Sequence, residues 1–322
     1  MASRYLRVET ILTRSPDEAA VFIRQGDIVA FPTETVYGLG GDVFNTQAIR
    51  NIYAAKGRPP DNPLIVHVAD REGLGRVVAA IPAVAETLLR AFFPGPLTLI
   101  LPRHPDVPAI VSGGLDTVGV RMPALPVAQA FLQACGTPVA APSANRSGRP
   151  SPTTWEAVLE DLGGRIPCIL QGDRTPVGLE STVVDVSGEV PVVLRAGAVT
   201  MEALRAVVPD VRLAATAEER LARSPGTRYR HYAPHAGVVL VSSPGEAVPG
   251  TRAAFIGLHR PSDPHAFGHV QVCPDVEAYA HALFHFFRRC DALGIETIYA
   301  EAVRPEGLGL ALMDRLHRAA RG

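Results

Sequence analysis

Between about residues 16 and 213 short apolar runs alternate with longer amphipathic ones, and this alternation constrains the fold more than any other property of the chain. A brief apolar run bounded by turn formers is a buried strand, whereas apolar residues recurring every three to four positions form the inner stripe of a helix. Strands are expected at 27–31, 64–68, 97–101, 117–121, 138–141, 166–170 and 181–186. Helices are expected at 16–25, 46–55, 82–92, 126–134 and 154–161. Elements that take turns in this way give an α/β fold with a substantially parallel sheet.

The pattern breaks after Leu213. A polar, helix-prone stretch at 216–223 leads into Ser224-Pro225-Gly226 and then the aromatic and basic run Tyr229-Arg230-His231-Tyr232-Ala233-Pro234-His235. A new apolar run starts at Gly237, with further strands expected at 253–256 and 297–300 and helices at 276–292 and 308–320. With 322 residues the chain is long enough for two cores. The division expected is a first domain at 1–213, a linker or lid at 214–236 and a smaller α/β domain at 237–322.

A composition of 47% apolar and 20% charged residues is that of a globular chain, and a net charge of -1 argues against a dedicated nucleic-acid coat or an acidic-membrane binder. Cys135, Cys168, Cys273 and Cys290 form no Cys-x-x-Cys pair, so they are expected as buried free thiols. Arg4, Arg7, Glu9, Arg14 and Asp17 interrupt any apolar run of signal-peptide length. Nothing approaches the roughly 20 apolar residues of a membrane span. A cytoplasmic protein is expected.

Thirty of the 31 basic residues are arginine, and the one lysine, Lys56, sits in Lys56-Gly57-Arg58-Pro59-Pro60-Asp61-Asn62-Pro63. An ammonium is a compact charge suited to a phosphate or carboxylate oxygen. Three further segments carry polar residues that packing does not require: Thr33-Glu34-Thr35-Val36-Tyr37-Gly38, Ser143-Ala144-Asn145-Arg146-Ser147-Gly148 and Gly178-Leu179-Glu180-Ser181-Thr182. Each adjoins an expected strand, which points to ligand binding at the carboxyl ends of the strands. Neither a Walker-type loop nor Gly-x-Gly-x-x-Gly is present, so a nucleotide would be held in another way.

Lys56-x-Arg58 together with Ser143-x-Asn145, framed by Pro32-Thr33-Glu34-Thr35-Val36-Tyr37-Gly38-Leu39, resembles the signature of the YrdC-type L-threonylcarbamoyladenylate synthases. The linker 224–234 and the terminal Gly307-Leu308-Gly309-Leu310-Ala311-Leu312-Met313-Asp314-Arg315-Leu316 are similar to the long, two-domain form. The resemblance implies a YrdC-like twisted open sheet with helices, followed by a Rossmann-like C-terminal domain. It implies a reaction of L-threonine, bicarbonate or CO2, and ATP that gives threonylcarbamoyl-AMP and pyrophosphate, with a downstream tRNA threonylcarbamoyl transferase as the consumer.

By the same resemblance Lys56 and Arg58 are the catalytic pair and bind ATP with Asn62, Thr117, Ser143, Asn145, Ser151, Arg195 and His235. Thr35, His67, Arg121, Ala141 and Ser181 are expected at L-threonine, Ala141 through its backbone alone, and Tyr232 as a lid. Two residues apart in extended chain, Lys56 and Arg58 point the same way and could clamp polyanionic oxygens. No protein metal site is expected: Glu34 and Asp61 are not part of a dense carboxylate cluster, so Mg2+ would arrive with ATP. His281 and His285 share a helix face at i, i+4, but with no third ligand nearby they read as packing. Two alternatives keep the fold: a double-stranded RNA or tRNA-binding module, against which the near-neutral charge counts, and a carbamoyl-phosphate-dependent carbamoyl-adenylate enzyme, whose zinc-binding cysteine pairs this chain lacks.

Overall fold

The structure, a computed structural model, describes residues 8–216 and 232–321. Its first eleven strands are β1 (Ile11–Thr13), β2 (Val29–Phe31), β3 (Gly38–Asp42), β4 (Ile65–His67), β5 (Leu97–Pro102), β6 (Thr117–Arg121), β7 (Val139–Ala141), β8 (Cys168–Leu170), β9 (Thr182–Asp185), β10 (Val192–Arg195) and β11 (Arg212–Leu213). Among the described residues they form one sheet in the order β1-β8-β2-β3-β7-β4-β6-β5-β9-β10-β11. The expected α/β architecture is present, and the expected parallel character holds for only half of this sheet. β2–β3, β3–β7, β7–β4, β5–β6 and β9–β10 are antiparallel, and only the other five neighbour pairs are parallel. An apolar run specifies burial on both faces and not the direction of its neighbours.

Three-residue strands dominate the centre, and their alternation sorts side chains cleanly. Val66, Val120 and Ala140 point into the main core, which is covered by the helices Thr46–Lys56, Ala83–Phe92 and Trp155–Leu162. On the other face Val29, Phe31, Val139 and Leu170 pack against the helices Pro16–Arg24 and Pro126–Cys135. Strand β3 falls in the segment taken as a glycine-containing motif. Its glycines are there for close approach: a Cβ on Gly40 would stand 2.5 Å from Val139 and 2.9 Å from the Phe31 ring.

After the undescribed stretch 217–231, four strands form a second sheet: β12 (Gly237–Val241), β13 (Gly250–Gly257), β14 (Phe267–Val272) and β15 (Thr297–Glu301). Its order is β12-β15-β13-β14 and every pairing is parallel. The helices Val276–Ala292 and Leu308–Ala320 both pack on the face that carries Val238, Ala254, Ile256, Ile298 and Ala300. Val36, Leu179 and Tyr232 join the same cluster, so the second core is continuous with the edge of the first sheet. Of the four cysteines, each is buried and free. The expected helix at 216–223 lies outside the described residues except for Thr216.

Candidate active site

A cleft opens on one face of the large sheet. Ile65 and His67 of β4, Arg121 of β6 and Ala141 of β7 form its floor. Register explains why: His67 pairs with Arg121, and Ile65 pairs with Ala141, so all four side chains leave the sheet on one side. His67 and Arg121 end the parallel neighbours β4 and β6, as expected of a site at carboxyl ends, whereas Ala141 ends the antiparallel β7 beside Ile65, so the floor also runs across the sheet face. With half the neighbours antiparallel, no common carboxyl edge exists.

The Arg121 guanidinium is held on three sides. Its Nε donates to the Gly95 carbonyl at 3.2 Å, Nη1 donates to Thr35 Oγ1 at 2.7 Å, and Glu34 Oε1 lies 2.7 Å from Nη2. The Thr33 hydroxyl donates to the Val36 carbonyl at 2.7 Å, so the 2.8 Å contact between Thr35 and Thr33 runs from Thr35 to Thr33. Thr35 thus accepts from Arg121, and its second lone pair remains for a ligand donor. This triad places a fixed positive fork beside hydroxyl acceptors, a geometry matched to the carboxylate and ammonium of an amino acid.

His67 stands beside Arg121 with the Phe31 ring edge-on at 5.7 Å. Burial, then the Arg121 charge, push its pKa down to about 3. It is neutral at physiological pH, and its Nδ1 has no hydrogen-bond partner among the described residues. A neutral imidazole here can bond a ligand but does not hold a proton for it.

The cleft is also lined by Arg58, Ser143, Glu180, Ser181, Arg195 and Tyr232. Arg195 donates from Nε to the Ser181 carbonyl at 3.0 Å and from Nη2 to the Ser181 hydroxyl at 3.1 Å. Arg58 donates from Nη2 to the Pro63 carbonyl at 3.0 Å. Burial lowers the pKa of both guanidiniums, that of Arg58 to about 10, which leaves Arg58 charged at neutral pH. Two desolvated arginines on one wall make a site for a polyanion.

Lys56 and Arg58 do not share a direction. Asn45 caps the helix Thr46–Lys56 at its start, and Gly57, at φ 64°, ends it immediately after Lys56. The lysine therefore leaves from a helix and the arginine from the loop beyond it. Lys56 Nζ donates to the Ser143 carbonyl at 2.6 Å and also to the Asn145 carbonyl, behind the cleft wall. Burial, then the Arg58 charge, hold its pKa well below that of ordinary lysine.

Asn145 also serves the loop. It accepts from the Ser143 hydroxyl at 2.5 Å and donates to the Arg146 and Arg149 carbonyls at 2.8 and 2.9 Å. Ser151 donates to Glu180 Oε1 at 2.5 Å, and the Asn62 carbonyl accepts from Tyr53 at 3.1 Å. Thr35, Arg58, His67, Arg121, Ala141, Ser143, Ser181, Arg195 and Tyr232 meet at the cleft, while Lys56, Asn62, Asn145 and Ser151 support its walls.

Two expected residues lie elsewhere. Thr117 begins β6 beside Pro102, at the far end of the strand from Arg121. The His235 side chain is 77% exposed and pairs with Asp291 at 3.3 Å. Thr33, Glu34 and Glu180 were not among the expected residues. The polar segment 178–182 was the available signal for Glu180, but its partner lies 135 positions away. Among the described residues no group of three or more His, Cys, Asp or Glu is placed to hold a metal. Glu34 is committed to Arg121.

Residues 21–197 match the Sua5/YciO/YrdC family model, described as telomere recombination, and residues 199–321 match the model described as threonylcarbamoyl-AMP synthase, C-terminal domain. A threonylcarbamoyl-AMP synthase from Pyrococcus abyssi is 43% identical, the match covering 94% of this chain and 92% of that protein. The chain belongs to the threonylcarbamoyl-AMP synthase family. A solved family structure, P. abyssi Sua5 complexed with L-threonine, superposes with a TM-score of 0.86 at 40% identity, covering 98% of this chain and 97% of the other. A threonylcarbamoyl-AMP synthase from Halorhodospira halophila is 41% identical over only 48% of this chain but 81% of its own length. The family thus contains members that lack the second sheet's share of the sequence.

Proposed function

We infer that this protein joins L-threonine, CO2 or bicarbonate, and ATP into threonylcarbamoyl-AMP with release of pyrophosphate. The observation that carries this reading is one cleft lined by two unlike sets of groups: strand-borne Arg121 and His67 with Thr35, fit for an amino acid, and Arg58 with Arg195, fit for phosphates. The threonine carboxylate pairs with Arg121, and its amine accepts or donates among Thr35 and His67. The amine nitrogen, once deprotonated, attacks the CO2 carbon to form a carbamate. A carbamate oxygen then attacks the α-phosphorus, the bond to the bridging oxygen breaks, and pyrophosphate leaves. These steps need alignment and charge stabilisation and no protein nucleophile.

Arg58 and Arg195 stabilise charge at the phosphates, Ser143 and Ser181 offer hydroxyls, and Lys56 with Asn145 and Ser151 sets the loop around the nucleotide. Mg2+ enters as the ATP complex, keeping waters and phosphate ligands. Tyr232, at φ 70°, stacked on Phe284 and lining the cleft, helps to exclude water from the labile carbamate and adenylate; most of the expected lid, residues 217–231, lies outside the described residues. Among the described residues no helix is long and apolar enough to cross a membrane, in keeping with a cytosolic enzyme that hands its product to a tRNA threonylcarbamoyl transferase and touches tRNA weakly or indirectly.

Pyrophosphate release by purified protein tests the reading. Release should require both L-threonine and bicarbonate in degassed buffer; release independent of threonine, or none from folded, ATP-binding protein, overturns it. A chain cut after Leu213 should still fold but lose product to hydrolysis, and full activity of that fragment would remove the lid role.

A further inference from the structure

Two buried arginines of the C-terminal domain reach across to the first domain. Arg315, fully buried on the helix Leu308–Ala320, donates from Nε to Glu180 Oε2 at 2.9 Å, with its guanidinium 5.4 Å from the centre of the Tyr232 ring. Glu180 in turn accepts the Ser151 hydroxyl on its other oxygen at 2.5 Å. Arg288, on the helix Val276–Ala292, donates from Nη2 to the Pro150 carbonyl at 2.6 Å and to Asp161 Oδ2 at 2.7 Å. Asp161 also accepts from the Arg146 backbone at 3.2 Å and from the Arg149 side chain. The two clamps thus meet the chain at Arg146, Arg149, Pro150 and Ser151, immediately after Ser143 and Asn145.

We propose that Arg288 and Arg315 are positioning residues through which the C-terminal domain sets the conformation of the 143–151 nucleotide loop, so that ATP affinity, and not threonine affinity, depends on that domain. The inference rests on the reading of this loop as the ATP wall. A buried carboxylate deprived of its cation must find another partner or leave its site, and Glu180 and Asp161 would each drag loop contacts with them. Of the threonine-facing groups, His67 and Arg121 sit on β4 and β6, and the bonds of Arg121 run to Gly95, Thr35 and Glu34, not to either arginine; only the Thr35 loop meets the clamped segment, through the Tyr37 amide on the Pro152 carbonyl at 2.9 Å.

Full-length Arg315→Met and Arg288→Met should each raise the KM for ATP about tenfold, the scale of one displaced charged hydrogen bond, with the KM for threonine moving less than about twofold. Direct titration with ATP should show the same loss. The double variant Arg315→Met with Glu180→Gln should be no worse than the poorer single variant, because both act through one pair. If Arg315→Met lowers the melting temperature severely, Arg315→Lys keeps the charge and should show a smaller rise in the same KM. An unchanged KM for ATP, both KM values rising together, or additive losses in the double variant would overturn the proposal. Wild-type protein that releases no threonine-dependent pyrophosphate would overturn the functional reading instead, which the ATP titration separates from this one.

Discussion

The two ends of the cleft are built by different means. At the Arg121 end every ligand-facing group except Thr35 stands on a central strand, fixed by register to neighbours on both sides. Around Ser143 the groups apart from Arg195, which ends β10, stand on loops, and the geometry of the 143–151 loop comes from a buried lysine, an asparagine and two arginines from the C-terminal part of the chain. A strand holds a side chain by its own ladder; a loop must be held by something else. The amino-acid end should therefore be selective and indifferent to distant change, and the phosphate end should respond to contacts far from the chemistry.

The sharpest way to break this contrast is Arg121→Met. Removing one partner of a buried charge pair costs about 3–5 kcal/mol, so kcat/KM for threonine should fall by roughly a thousandfold while ATP still binds in a titration. Equal loss of ATP binding would show that the ends are not independent. Next, Lys56→Met should leave the fold intact, because it removes a desolvated amine, but should lower kcat/KM for ATP about a hundredfold through two unanswered carbonyls at about 1–3 kcal/mol each; circular dichroism with steady-state kinetics checks both.

A third prediction concerns pH. His67 has a folded pKa of about 3 against 6.5 unfolded, so the unfolded chain takes up the proton first and stability is lost as pH falls below 6.5. Between pH 7 and pH 5 this group should cost about 2 kcal/mol, and denaturant unfolding of His67→Gln should lack that part of the decline. An identical decline in the variant would place the imidazole in a wetter site. The smallest effect is Thr35→Val, which breaks the bond from Arg121 and removes the acceptor offered to the amine. It should raise the threonine KM by about five- to tenfold, one neutral or charge-assisted bond's worth, with the KM for ATP unchanged.

Much of this was legible in the sequence and the remainder was not for definable reasons. The strands expected at 97–101 and 117–121 match β5 and β6 to within a residue, because buried β-branched and leucine runs leave little else to form. β3 was hidden by its glycines, which serve contact across the sheet, and β14 by its mixed polarity at a sheet edge. The antiparallel half of the first sheet was not legible because side-chain period carries no directional information. At the site, the short motifs located the cleft residues, since Thr35, His67, Ser143 and Ser181 each end a strand or lie within a few residues of one and Arg58 follows a helix terminus. They did not reveal which of two close residues turns inward: Lys56 and Arg58 are separated by a helix terminus that only the Gly57 conformation decides. Nor could they reveal Glu180 with Arg315 or Asp161 with Arg288, whose partners lie more than a hundred positions apart.

The single lysine makes the chain its own reporter. With thirty arginines and one lysine, an acylating reagent meets one side-chain amine in the whole protein, and that amine lies behind the phosphate wall, bonded to the Ser143 and Asn145 carbonyls. Its acylation rate is a clock for how often the loop lets go. Mass spectrometry of one peptide would read that clock, with no label introduced and no residue changed, and ATP should slow it.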